Sequence, residues 1–373
     1  MERLASACDN FGLDLYRICW NKNKDGNIFF SPFSISAALA MILEGAKGDT
    51  AEQLWHTLYI AGMKEPDVEK EYRAYLNLIK SPGPNIILDI ANNIFVQKDY
   101  HIYPEFQEVL QKYYGADAKE VDFGAHHEEV RQEINKWVAG ATEEKIKELF
   151  SQGVIGSVTH MVVANAAYLK GNWGFIFDPK ETRKVPFYLS ETETVDVDMM
   201  HKKGEFRYSI CPELKCTALE LPYIGDKLAM VILLPNEVDG LLYLEEEISV
   251  LSLGMIFGRM MNEEEVCVSL PKFKLEESLS LGEMAKEMGA KDLFSKNADL
   301  SGISNKEDLH VDAMIHKAYF EIAEGGQEPT QKPLPLFRYT PEIDFVVNRP
   351  FLFLIRDLKY GIVLFLGSIK KPF

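Results

Sequence analysis

From residue 159 onward the chain is a succession of short apolar runs: 159–169, 184–188, 204–210, 215–221, 227–234, 266–275, 309–322, 351–356 and 362–369. Their lengths and their β-branched and aromatic content predict strands. Helical stretches near 241–258 and 279–289 interrupt them. Residues 1–150 read the other way. Leu4, Cys8, Phe11, Leu15 and Ile18 recur at helical spacing, and Pro32 after Ser31 opens an apolar-periodic helix over 34–44. Further helices are predicted after Asp49 and Thr50, and over 68–80, 104–112 and 126–142. The last places Val130, Ile134, Trp137 and Ala141 on one face. Strands are predicted at 86–96 and 117–123. Helices and strands mixed without regular βαβ alternation indicate an α+β class with large, mostly antiparallel sheets.

Composition excludes several function classes. The 373 residues carry a net charge of −17, which disfavours nucleic acid and anionic membrane as partners. The longest apolar runs, such as 228–234 and 362–366, fall far short of the ~18 residues that span a bilayer. The first twenty residues lack a basic-then-apolar signal peptide. No Asn-x-Ser/Thr sequon occurs, and five cysteines do not form a disulfide scaffold in a chain of this size. A cytoplasmic location is expected over secretion, with a trimmed secreted chain left open.

Catalytic and metal motifs fail on inspection. Asn21, Asn23, Asp25 and Gly26 mimic the start of a calcium loop, but Pro32 stands where a bidentate Glu is needed. Cys211 and Cys216 are too widely spaced for CxxC. His126–His127 begins a helix and reads as a solvated face. The SxxK match at 269–272 sits in a strand without the partners of that active site. His316 shares a strand face with Met314, Ala318, Phe320 and Ile322, so a hydrogen-bonded core histidine is expected there. No cofactor, metal or enzymatic activity is expected.

One segment stands apart. Residues 325–341 contain Pro329, Pro333, Pro335 and Pro341 between strongly apolar strands. Proline fixes φ and lacks an N–H, so an exposed, extended loop is predicted.

Several stretches resemble the serpin family in that family's order. They are NIFFSPFSISAALAMILEGAKGDTAEQL (27–54), VVANAAYLKGNW (162–173), LPYIGDKLAMVILLP (221–235), DLSGIS (299–304), HVDAMIHKAYFEIAEGG (310–326), FVVNRPFLFLIRD (345–357) and GIVLFLGSI (361–369). The similarity spans essentially the whole chain and is greatest to the intracellular, ovalbumin-like branch. It implies a single domain over 1–373, about nine helices around three mostly antiparallel sheets, and an exposed reactive-centre loop at about 324–342. In inhibitory members a protease attacks the loop, which then inserts into the large sheet and traps the enzyme. By resemblance, Ser31, Ser34, Asn165 and His316 match the shutter, and Trp173 the breach. Lys272 and Glu324 match a charged pair at the loop base.

The hinge departs from the family pattern. Glu324, Gly325 and Gly326 fit, but Gln327, Glu328, Pro329, Thr330, Gln331, Lys332 and Pro333 replace the usual Thr or Ser followed by alanines. Alternate residues of an inserted strand share a face, so Gln327, Pro329, Gln331, Pro333 and Pro335 would enter the sheet. Lost ladder bonds and buried amides would together cost roughly 5–10 kcal/mol if additive. Slow insertion favours a substrate-like or non-inhibitory protein with a carrier or regulatory role. The alternative is a working inhibitor of a trypsin- or chymotrypsin-like protease. The bait bond is expected after Arg338 or Tyr339; a Thr340–Pro341 bond would resist cleavage. Lys64, Lys70, Arg73 and Lys80 are interleaved with acids, so no glycosaminoglycan site is expected. A monomer is expected.

Overall fold

The computed structural model describes residues 1–80, 85–260, 263–325 and 343–372. Its helices are α1 (Glu2–Lys22), α2 (Pro32–Leu43), α3 (Gly48–Thr57), α4 (Glu65–Ile79), α5 (Pro104–Val109), α6 (Phe123–Ala141), α7 (Leu241–Glu247), α8 (Val250–Arg259) and α9 (Leu281–Glu287). The strands begin with β1 (Ile28–Phe30), β2 (Ile86–Gln97), β3 (Asp117–Val121), β4 (Met161–Gly171), β5 (Arg183–Tyr188), β6 (Thr194–Cys211) and β7 (Cys216–Pro222). They continue with β8 (Leu228–Pro235), β9 (Glu263–Pro271), β10 (Phe273–Ser280), β11 (Ala313–Ile322), β12 (Ile343–Val346), β13 (Phe351–Asp357) and β14 (Val363–Ile369).

Five strands form one sheet in the order β10-β11-β4-β2-β3. At its centre β11 and β4 run parallel, from Ala313↔Val162 to Phe320↔Leu169. Parallel neighbours need a long connection, and here residues 172–312, 141 of them, lie between the two strands. Both faces are covered, as the near-continuous apolar sequence of β4 requires. Met161, Val163, Ala167 and Leu169 face the main core, while Val162, Ala164 and Ala166 lie under Val130, Ile134 and Val138 of α6.

The other strands are joined by hydrogen bonds into a nine-stranded path, β1-β14-β13-β8-β7-β6-β9-β12, with β5 on β6. Two of the three expected sheets are therefore linked through β6. Its first third pairs with β5, its middle with β9 and its end with β7. Phe29 of β1 stacks on Phe320, Phe353 and Phe365, with ring centroids 5.5–5.9 Å apart, and so ties the two sheets together.

Four differences from the sequence reading have local causes. The predicted strand 266–275 is two strands, because the chain crosses from one sheet to the other at Lys272, whose amide binds the Asp198 carbonyl at 2.8 Å. The helix near 241–258 breaks at Ile248–Ser249, where Ser249 and Ser252 form a reciprocal capping box. β6 begins ten residues before the predicted 204; Asp196 and Asp198 are exposed there between buried Val197 and Met199, a half-buried strand pattern that a search for apolar runs passes over. β1 and β12, at three and four residues, are too short for a periodicity signal.

Gly171 ends β4 beneath the Tyr223 ring; a Cβ there would lie 2.6 Å from Tyr223 Cδ1. Gly171→Ala forces the ring aside and should destabilise the protein by about 1–3 kcal/mol. Urea denaturation checks this, and an unchanged midpoint would show that the ring gives way freely.

Candidate functional site

The β4–β11 seam carries a buried polar cluster at its middle. Asn165 and His316 are direct register partners, and Asn92 of β2 is opposite Asn165 on the other side. His316 Nδ1 donates to Asn165 Oδ1, and the Asn165 amide reaches Asn92 Oδ1. The same amide lies 2.8 Å from Ser34 Oγ and 2.9 Å from the Ser34 carbonyl. Ser31 caps α2, its hydroxyl accepting from the Ser34 amide at 3.2 Å. The Ser31 amide in turn donates to His316 Nε2 at 3.0 Å. The start of α2 is thus fastened to three adjacent strands. Ser31, Ser34, Asn165 and His316 are all 0% exposed.

This arrangement rules out base catalysis by His316. Its Nε2 already accepts an amide proton, and burial pushes its pKa from 6.5 down to about 3. The ring is neutral and held in one tautomer by two partners. Asn92 was missed by the motif reading; it stands beside Asn93 in a strand that also carries Asp89 and Gln97, so nothing in the sequence singles it out.

A second group sits where β11 ends. The Trp173 indole N–H donates to the Ala323 carbonyl at 3.0 Å, and its backbone amide to the Gly325 carbonyl at 3.1 Å. The indole stacks on Tyr223 with centroids 4.8 Å apart, and packs on Phe175 and Phe177. Lys272 Nζ contacts both Glu324 oxygens at 2.8 and 3.0 Å, and the Thr182 hydroxyl donates to one of them at 2.9 Å. Burial would raise the Glu324 pKa, but Lys272, a backbone amide and Thr182 outweigh it and hold the carboxylate below its usual range. Thr182 was not anticipated; a lone threonine in a polar turn carries no pattern.

The structure therefore brings together Ser31, Ser34, Asn165 and His316, and separately Trp173, Lys272, Glu324 and Gly325. Gly326, Gln327, Glu328, Pro329, Thr330, Pro333, Arg338, Tyr339 and Thr340 lie outside the described residues.

Comparison with known proteins agrees with this architecture. A family model described as "Serpin (serine protease inhibitor)" matches residues 6–372. The chain is 41% identical to Ipis-1 of Ixodes persulcatus, with 97% of each chain covered. It is 40% identical to the leukocyte elastase inhibitor of Homo sapiens, with both chains fully covered. The solved structure of uncleaved ovalbumin superposes with a TM-score of 0.92 at 30% identity, covering 99% of this chain and all of that one. Thyroxine-binding globulin complexed with thyroxine gives 0.89 at 28% identity, covering 99% of this chain and 98% of that one. The chain belongs to the serpin family, whose description is of protease inhibitors and not of catalysts.

His316 gives a pH prediction. Below pH 6.5 an unfolded His316 takes up a proton that the fold refuses until about pH 3. Its contribution is full above pH 6.5 and is lost as pH falls toward 3. Asp9 and Glu44, both raised to about 7 chiefly by burial, act in the opposite sense. Comparing wild type with His316→Gln isolates the histidine. The variant should be less stable at pH 7.5 by roughly 2–4 kcal/mol, from buried groups left unpaired, and should lose less melting temperature between pH 6.5 and 4. Parallel pH profiles of the two proteins would contradict this.

Proposed function

We propose that this serpin offers the segment between β11 and β12 to trypsin- or chymotrypsin-like serine proteases, and that it is cleaved as a substrate faster than it traps them. The hinge sequence Gln327–Pro335 carries this reading. A strand that turns back after Gly325 and enters between β4 and β11 runs antiparallel to both, and each edge then needs a ladder of hydrogen bonds. Pro329, Pro333 and Pro335 donate none, and Gln327 and Gln331 must bury amides. A slow entry loses the race against hydrolysis of the acyl-enzyme.

In this reading Ser31, Ser34, Asn165 and His316, with Asn92, are the shutter that must open. Trp173 with the Glu324–Lys272 pair is the breach where entry begins. Arg338 or Tyr339 provides the bait bond. The chain acts as one monomeric unit over 1–373, without cofactor or glycosaminoglycan, and its role is binding or regulation. Among the described residues no helix is long and apolar enough to cross a membrane. Five cysteines without a disulfide among them support a cytoplasmic setting.

A second reading, a working suicide inhibitor, is favoured by the name of the human relative, an elastase inhibitor matched over its full length. One gel separates the two. The protein is mixed with trypsin and with chymotrypsin. Clean loop cleavage at Arg338 or Tyr339 is the expected result; a boiling-resistant covalent complex would establish the second reading instead. Cleaved protein whose melting temperature rises steeply would show that insertion proceeds despite the prolines.

A further inference from the structure

The seam carries another cluster at the end away from Trp173. His160 immediately precedes β4, and His310 and Asp312 lie just before β11. Each offers a donor atom, and all three lie within 4.8 Å of one another. His160 Nδ1 is 3.4 Å from Asp312 Oδ2, and His310 Nε2 is 3.4 Å from Asp312 Oδ1. The two imidazole centroids are 4.9 Å apart.

A hydrogen bond from its ring fixes where the His310 lone pair points. His310 Nδ1 lies 2.8 Å from the Asp308 carbonyl oxygen, which can only accept. The ring proton is therefore on Nδ1, and in the neutral ring Nε2 turns a lone pair toward Asp312 Oδ1. Asp312 Oδ2 accepts the His160 and Met161 amides at 2.6 and 3.1 Å. His160 Nδ1 is buried and has no hydrogen-bond partner. With the His160 proton on Nε2, two ring nitrogens and a carboxylate converge on one small space as electron-pair donors, an arrangement that a cation between them relieves.

The spacings are compatible with a metal ion. Zinc bonds of ~2.0–2.2 Å at the tetrahedral angle place neighbouring ligand atoms about 3.3–3.6 Å apart; each histidine nitrogen lies 3.4 Å from one Asp312 oxygen, His160 from Oδ2 and His310 from Oδ1, so a single ion held by one of these oxygens draws the other nitrogen closer. A ligand histidine whose other nitrogen binds a carbonyl, and a carboxylate steadied by amides, form the usual outer shell of such sites. Three protein ligands leave a position for water.

We propose that His160, His310 and Asp312 bind one divalent ion of the zinc class, and that this ion ties the N-terminal ends of β4 and β11 together. The ligands flank the first register pair, Ala313↔Val162, so the bound ion opposes parting of the two strands. Only that last consequence rests on the reading of the seam as one that opens.

Titration calorimetry of chelator-treated, reduced protein with zinc chloride should give one site per chain. His160→Gln and His310→Gln should each weaken it at least about tenfold, while His126→Gln leaves it unchanged. Both Gln variants should keep the circular dichroism and melting temperature of metal-free wild type, which separates lost ligands from lost fold. Cobalt in place of zinc should show visible bands of nitrogen and oxygen ligation. No binding, equal affinity in both variants, or a thiolate-to-cobalt band in the near ultraviolet would overturn the site. Zinc should also raise the melting temperature of wild type and not of the variants; binding without that rise would overturn the tie. No readout here uses a protease, so failure of the proposed substrate behaviour is seen separately on the gel.

Discussion

The parallel pairing of β4 with β11 is the constraint on which the rest of the molecule depends. No local turn can bring these strands together; they meet only because the intervening chain builds the other sheet and returns. Evenly spaced, slanted hydrogen bonds make such a pair slightly weaker per residue than an antiparallel one. The seam is held instead by what crosses it. The His316–Asn165 bond lies within the sheet, and the start of α2 is fastened over it. A buried polar network of this kind specifies one arrangement strongly while all its members are paired. It is also a discrete lock, since removing one partner leaves the others buried and unsatisfied. The hold on the seam is concentrated in the same few side chains.

Much of this was legible in the chain. Apolar periodicity located most helices and strands, because burial of one face is what fixes them. His316 could be read as a core histidine from its neighbours at alternate positions. Other parts had no sequence signal for physical reasons. Asn92 belongs to the cluster through register, which no single strand encodes. Thr182 reaches Glu324 across more than 140 residues. His160 stands about 150 residues from His310 and Asp312, so spacing rules that find metal ligands on one helix or loop pass over it. The split at Lys272 escaped because the apolar run continues across it from Val266 to Leu275 and a single residue separates the two strands; the change of sheet is decided by tertiary pairing alone.

Two of the polar groups along the seam do different work. Glu324, Lys272 and Thr182 sit part-exposed and set the direction in which the chain leaves β11. Ser31, Ser34, Asn165 and His316 at the centre are fully buried and bridge β4 and β11. Their separation along the strands means that the exit can be disturbed without unfastening the middle.

Strands β11 and β12 anchor the intervening segment on different sheets, β11 on the five-stranded one and β12 on β9 of the larger path. Residues 326–342 join them. A strand as long as β11 spans ten residues, about 33 Å, and an insertion of that length into the seam, as the proposed function requires, would use most of the segment. The seven residues left reach at most about 25 Å, too little to return. On the proposed function, the intact chain is a tether shorter than that journey for as long as β12 stays paired with β9.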